Sequence, residues 1–290
     1  MEENKEYITQ LRSFDLDCGS KTLHLSERTH VMGVLNVTPD SFYDGGRYFN
    51  RDRAVEKALE MVEEGADIID VGGESTRPGA DPVDVSEEMR RVIPVIERLR
   101  GKIRVSISID TRRSEVAERA IQAGADLVND VSGLRFDGEM VSLVARFDVP
   151  VVVMHMKGSP KDMQKNPEYD DLIGEIYEYF DQSIQMALRA GISREKIVVD
   201  PGIGFGKKWE DNFVVLKHLK VFQDLDCPLL IGVSRKSFIG WALDLAEGER
   251  LMGTAAAVAA SVLQGVHIVR VHDVKEMVQV VRIVDRVKSA

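Results

Sequence analysis

VSISIDTRRSEVAERAIQAGADLVNDV, residues 105–131, holds a complete strand–helix–strand unit, and its reading decides the fold. VSISID at 105–110 is a short apolar run that ends on a carboxylate. Val116, Ala120 and Ile121 then recur at helical spacing, Gly124 supplies a helix stop, and DLVND at 126–130 begins a second run that ends in polar residues. A helix between two such strands returns the chain to its starting end, so the strands run parallel with a right-handed crossover.

The same unit recurs on either side. Further runs of Val, Ile and Leu, the composition of strands buried on both faces, are VMGVLN at 31–36, DIID at 67–70, VPVVVMH at 149–155, KIVVD at 196–200, PLLIGVSRK at 228–236 and HIVRVHD at 267–273. Between them Val55, Ala58, Leu59 and Val62 mark one amphipathic helix, and Met89, Val92, Ile93 and Ile96 another, in which Pro94 predicts a kink or break. Leu172, Ile176, Phe180 and Ile184 mark a third, and Val274, Met277, Val278 and Val281 a last one. Ser86, Thr111, Asp170 and Asp273 read as N-caps, and Gly65, Gly124 and Gly191 as C-terminal caps. GADIIDV at 65–71 and GADLVNDV at 124–131 echo each other. The count reaches eight strand–helix units, which predicts an α/β protein of the closed (β/α)8 barrel type. SFDLDCGSKTLHLSE within residues 1–30 reads as a β-hairpin that closes the bottom of the barrel. We expect one domain over 1–290, with the hairpin as an extension of a barrel spanning 31–290, and no linker.

Composition narrows the function. The chain has 290 residues, 44% of them hydrophobic and 30% charged, which suits a folded soluble domain. No apolar stretch approaches the ~20 residues of a membrane span, and MEENKEYITQ is too polar for a secretory signal, so a cytoplasmic location is expected. A formal net charge of −10 disfavours nucleic acid as a partner. Cys18 and Cys227 are too isolated for a disulfide framework or a thiolate metal site. Several motifs fail: GIGFGK at 202–207 lacks the last glycine of a dinucleotide fingerprint, GVSRK at 232–236 lacks the second glycine of a nucleophile elbow, and no H-E-x-x-H occurs.

The strand ends remain. Asn36, Asp70, Asp110, Asn129, Asp200, Lys236, Arg270 and His272 all fall at or just past the end of an apolar run, the catalytic face of a parallel barrel. A lone Asp or Asn there is often only a cap or turn residue. Asp200, before a Pro-Gly turn, is harder to explain so, and Lys236, Arg270 and His272 follow the seventh and eighth strands, where such barrels often bind phosphate. The cations concentrated there would suit an anionic small substrate. The long segments 37–50, 72–85 and 156–169 follow strands at the same end and read as functional loops.

At these residues the chain resembles the dihydropteroate synthase family of pterin-binding TIM barrels. The likeness is carried by GVLNVTPDSFYDGG at 33–46, DVGGESTRPGA at 70–80, NDVSGLRFD at 129–137, MHMKGSP at 154–160, DPGIGFGK at 200–207, GVSRKSFIG at 232–240 and RVHDV at 270–274. It implies condensation of 6-hydroxymethyl-7,8-dihydropterin pyrophosphate with p-aminobenzoate by an SN1-like C–O cleavage, with Mg²⁺ as cofactor. By resemblance Asp110, Asn129, Met154, Asp200 and Lys236 bind the pterin, and Asn36, Arg77, Arg270 and His272 the pyrophosphate, with Asn36 a metal ligand. Phe42, Thr76, Arg77, Phe205, Lys236 and Ser237 would form the p-aminobenzoate pocket. Asn36, Asp110, Lys236, Arg270 and His272 would act in catalysis, under loops carrying Thr38, Pro39, Asp40, Phe42 and Asp44 and, in the second, Thr76 and Arg77. Arg112, Arg113, Ser159 and Asp162 depart from the residues expected there, at no principal contact. Asp70 has no assigned role beyond orienting the loop after it. The family is also expected to form homodimers. Two alternatives share the barrel: a methyltetrahydrofolate-binding methyltransferase domain, which needs no pyrophosphate clamp, and a catalytically silent pterin-binding paralogue.

Overall fold

The computed structural model describes residues 14–19, 21–38, 47–75, 83–159, 162, 163, 165 and 167–290. Strands β1 (Asp15–Asp17) and β2 (Thr22–His24) pair antiparallel, as the expected hairpin. Strands and helices then alternate: β3 (His30–Asn36), α1 (Arg47–Glu64), β4 (Ile68–Gly72), α2 (Val85–Arg100), β5 (Ser106–Asp110), α3 (Ser114–Ala123), β6 (Leu127–Asp130), α4 (Met140–Phe147) and β7 (Val151–Met154). After them come α5 (Leu172–Arg189), β8 (Ile197–Asp200), α6 (Trp209–Lys217), β9 (Leu230–Ile231), α7 (Ser237–Leu243), α8 (Leu251–Leu263), β10 (Ile268–Val271) and α9 (Val274–Ser289). The seventh unit thus carries two helices where the sequence pattern indicates one.

The eight long-range strands form one parallel sheet in the order β8-β7-β6-β5-β4-β3-β10-β9. A parallel bridge between Val199 and Leu229 joins the two ends, so the sheet curls into a barrel. Strands alternate their side chains between faces, and the period of two organises the interior. Met32, Ile68, Leu127, Val152, Val198, Leu230 and Ile268, one from each of seven strands, pack against Leu16, Cys18, Leu23 and Leu25 of the hairpin. From β5, Ser106 lies against the Cys18 thiol. The hairpin is therefore an apolar plug in the bottom of the barrel. Two residues further along each strand stand Val34, Asp70, Ser108, Asn129, Met154, Asp200, Gly232 and Arg270, and two beyond that Asn36, Gly72, Asp110, Ser234 and His272. The parity that buries the plug layer thus turns the strand-end polar groups into the barrel mouth.

Local signals explain most element boundaries. Gly65, Gly124 and Gly191 all take left-handed φ after α1, α3 and α5, as their positions predict. The caps differ by a residue or two. Asp84, not Ser86, accepts from Glu87 N at 2.9 Å, with Ser86 donating to it. Asp171, not Asp170, accepts from Gly174 N at 3.1 Å. Thr111 lies outside α3 and instead accepts from Arg113 N. Asp273 stands at the start of α9 but makes no capping bond, because Arg235 engages its carboxylate. Pro94 does not break α2. The carbonyl its missing N–H would have served, that of Arg90, accepts from the Arg51 guanidinium at 3.0 Å.

The GAD repeat also finds a reason. Asp67 accepts from Val31 N at 3.0 Å and pairs with Arg28, while Asp126 accepts from Ile107 N at 2.7 Å and pairs with Arg100. Each closes the start of its neighbouring strand. Because the hairpin fills the barrel from below, Leu23→Ala should cost about 2–5 kcal/mol, the usual range for truncating a buried leucine. Urea unfolding measures this, and an unchanged midpoint would show that the plug contributes nothing.

Candidate active site

Arg270, at the inward face of β10, is the centre of the mouth. Its Nε donates to Asp70 at 2.6 Å and its Nη2 to Asp110 at 2.7 Å. Asp70 is wholly buried and also accepts from Asn129 Nδ2 at 3.1 Å. Asp70 therefore holds Arg270 and Asn129 in place, a role other than orienting the following loop. One oxygen each of Asp70 and Asp110 is buried with no bond to any described residue. Burial pushes Asp110 up, to about 7, with the Asp70 charge adding to the rise and Arg270 opposing it. The same two carboxylates hold the Arg270 guanidinium above its ordinary range.

Asp200 ends β8 on the far side of the mouth. Its carboxylate accepts from Gly202 N at 2.8 Å across the Pro-Gly turn. Burial raises its pKa, while Lys236, Arg270 and Lys207 pull it down. Lys236 donates to the Ile203 carbonyl and lies 4.6 Å from the centre of the Phe205 ring. Its own pKa is pushed down to about 8 by burial, against the attraction of Asp200. The backbone that presents Lys236 is held by Arg235, a non-glycine residue at φ 58°. Its N–H donates to Thr254 Oγ1 at 3.0 Å, its guanidinium bonds Asp273, and its carbonyl accepts from Arg250. Those bonds offset a conformation that ordinarily costs about 1–3 kcal/mol.

The remaining expected residues fall around the same opening. Met154 is buried at the end of β7, His272 follows β10 with Nδ1 3.0 Å from Ser234 Oγ, and Ser237 is exposed at the start of α7. Asn36 is half-buried at the end of β3. Phe42, Thr76 and Arg77, with Pro39, Asp40 and Asp44, lie outside the described residues. The cationic excess expected at the strand ends is not found among the described residues: Asp70, Asp110 and Asp200 offset Arg270, Lys236 and Lys207.

Several contributors carry no strand-end signal in sequence. Lys207 is fully buried and bonds His155, Gly202 O and Phe205 O. Arg113 turns inward to Glu74, Glu88 and the Val83 carbonyl, and Arg112 to Glu74, so these departures from the expected pattern tie the feet of the segment after β4.

The arrangement offers carboxylates that can accept from N–H donors and cations that can pair with an anion. Known proteins agree with that description. A family model described as pterin binding enzyme matches residues 32–272. The dihydropteroate synthase of Synechocystis is 46% identical over 93% of this chain and 94% of its own length, and that of Escherichia coli 48% over 90% and 92%. Among solved structures, the Yersinia pestis dihydropteroate synthase in a sulfonamide complex superposes with a TM-score of 0.90 at 44% identity, covering 95% of this chain and 100% of that one. The Xanthomonas albilineans enzyme with 4-aminobenzoic acid gives 0.91 at 43%, covering 96% and 100%.

Arg270 pairs with Asp110 as well, so Asp70→Asn leaves it one carboxylate and should lower stability by about 1.5–3 kcal/mol, the range for a hydrogen bond to a charged group. Denaturant titration of the variant tests this, and a loss below the scatter of surface substitutions would contradict the role given to Asp70.

Proposed function

The chain belongs to the dihydropteroate synthases of the pterin-binding enzyme family, and on that premise we propose a division of labour among its mouth residues. The reaction condenses 6-hydroxymethyl-7,8-dihydropterin pyrophosphate with p-aminobenzoate to 7,8-dihydropteroate and pyrophosphate, a step of folate biosynthesis. One observation carries the division. Asp110, Asn129, Met154, Asp200 and Lys236 stand on or just after five successive neighbours in the ring, β5 to β9, whereas Asn36, Arg270 and His272 stand on or after the adjoining pair β3 and β10. One arc reads the pterin and the other handles the pyrophosphate.

The pterin offers a row of N–H donors along one edge. Asp200, ionised, accepts them, and charge-assisted bonds of this kind contribute ~1.5–3 kcal/mol each. Asn129 and Asp110 read other ring atoms, Lys236 donates toward the carbonyl side, and Met154 covers the ring face. Arg270, anchored through Nε and Nη2, bonds no described residue through Nη1 and offers it to the anionic leaving group. The C–O bond breaks first, leaving positive charge on the pterin methylene and an electron pair on departing pyrophosphate. The p-aminobenzoate nitrogen then attacks the methylene carbon and loses its proton to solvent. No side-chain nucleophile takes part. Phe205, Lys236 and Ser237, with Phe42, Thr76 and Arg77, line the p-aminobenzoate pocket. Preorganised donors carry the catalysis, at roughly 10²–10³ in rate for each donor removed.

Mg²⁺ fits this arrangement. An ion that keeps its waters and binds mainly through phosphate oxygens needs few protein ligands. Asn36 would hold it: a Cβ built on Gly72 would lie 3.7 Å from Asn36 Oδ1 and 3.6 Å from Asp110 Oδ2, so both oxygens face one space. When bound, the ion would neutralise charge on the leaving pyrophosphate.

A second copy of the chain is the proposed partner. Trp209, Phe213, Trp241, Leu243 and Met252 are exposed together on α6, α7 and α8, with Trp209 and Trp241 ring centres 5.5 Å apart. Clustered apolar groups of this size suit a self-complementary two-fold contact. No helix of the described residues is long and apolar enough to cross a membrane, in keeping with a cytoplasmic site of action.

Incubating the protein with the pterin pyrophosphate, p-aminobenzoate and Mg²⁺ should yield dihydropteroate and pyrophosphate. Asp200→Ala should abolish pterin binding, whereas Ser237→Ala should chiefly raise KM for p-aminobenzoate. Equal effects of both on both substrates would end this division. Light scattering should give a dimer that Trp241→Glu converts to a monomer, and a wild-type monomer at assay concentration would exclude the partner.

A further inference from the structure

Lys207 has the least accessible cation of the mouth and no place in the chemistry above. Its side chain is 1% exposed. Nζ lies 2.9 Å from His155 Nδ1 and donates to Gly202 O at 3.0 Å and Phe205 O at 3.1 Å. Three acceptors match the three N–H bonds of an ammonium, so His155 accepts at Nδ1 and carries its proton on Nε2. Burial and the Lys207 charge hold His155 far below the ordinary imidazole range, which keeps it neutral and able to accept.

The surroundings leave no slack. A Cβ on Gly202 would meet His155 O at 2.0 Å, and one on Gly206 would meet Lys157 O at 2.2 Å. The 200–207 turn and the 155–157 segment therefore stack backbone on backbone, and the Lys207 stem runs between them. A lysine that only filled this space could be replaced by an apolar chain without an unpaired charge to bury.

We propose that Lys207 is a positioning residue for the reaction: its ammonium ties the Gly202 and Phe205 carbonyls to His155, so that the Asp200 carboxylate and the Phe205 ring are set relative to each other. The same charge opposes protonation of Asp200. This rests on the reading in which Asp200 accepts the pterin edge and Phe205 lines the p-aminobenzoate pocket. Burial pulls the Lys207 pKa down to about 7; of the charges facing it, Asp200 and Asp211 favour its ammonium and Lys236 opposes it. Those acting on Asp200 are Lys236, Arg270 and Lys207. Removing Lys207 takes away one of three cations that hold Asp200 ionised, so Asp200 binds a proton at higher pH.

Lys207→Met keeps the stem and deletes the charge. In the folded variant, pterin affinity should fall by up to roughly tenfold on the acid side of the profile, the equivalent of one pKa unit, and little where Asp200 stays ionised. The acid limb of its pH profile should move up by about one unit, and KM for p-aminobenzoate should rise more than kcat falls. Lys207→Arg, which restores the charge, should return the acid limb toward wild type. A folded Lys207→Met protein with the wild-type acid limb and the wild-type KM overturns the proposal. Should that variant not fold, ¹⁵N labelling of lysine Nζ in the wild-type chain reads the same group. A Lys207 signal that does not respond to saturating dihydropterin then overturns it. Asp200→Ala serves as the reference: if that variant keeps its pterin affinity, the reading of the mouth fails, whatever Lys207 does.

Discussion

Arg270 can sit inside the barrel only because Asp70 and Asp110 both bind it. A guanidinium cannot shed its proton to escape burial, so its place demands carboxylates within hydrogen-bond reach, and those carboxylates need it in turn. Asp70 then fixes Asn129, and Asp110 stands beside the oxygen of Asn36 across Gly72. The rest of the mouth is arranged around this one shared cation, with Asp200, Lys236 and Lys207 balancing one another opposite.

That balance separates holding from acting. Asp70 binds the guanidinium through Nε, and Arg235 uses its side chain to keep a left-handed turn that presents Lys236. Asp130 works likewise one strand away, accepting from Ser132 and Leu134 to shape the loop after β6. Tyr179 donates to the Ser132 carbonyl and Tyr169 to that of Gly206, fastening the loops after β6 and β8. The side of the mouth formed by β6 to β9 is thereby built from backbone held at many points.

The fold was largely legible because the strand period and the plug hairpin use simple hydrophobic alternation. Cap positions were less so: Asp84 and Ser86, or Asp170 and Asp171, are chemically near-equivalent neighbours, and backbone geometry chooses between them. The candidate site was legible where a polar residue ends an apolar run, as at Asp110 and Asp200. Asp70 showed the same signal, but its task depends on Arg270, 200 residues away, and a pairing at that separation leaves no local mark. Lys207 was hidden for a different reason. It lies in a loop rich in glycine, and only the close backbone approach there reveals that a long side chain runs inside. Arg113 ends no apolar run, although it gathers both feet of one loop.

The apolar hairpin at the floor also sets the traffic through the molecule. With Leu16 and Leu23 sealing one end, the described residues make the barrel a well floored by the hairpin. The layer of Asn129, Asp200 and Arg270 lies below that of Asn36, Asp110 and His272, so whatever reaches the lower groups has first passed the upper ones.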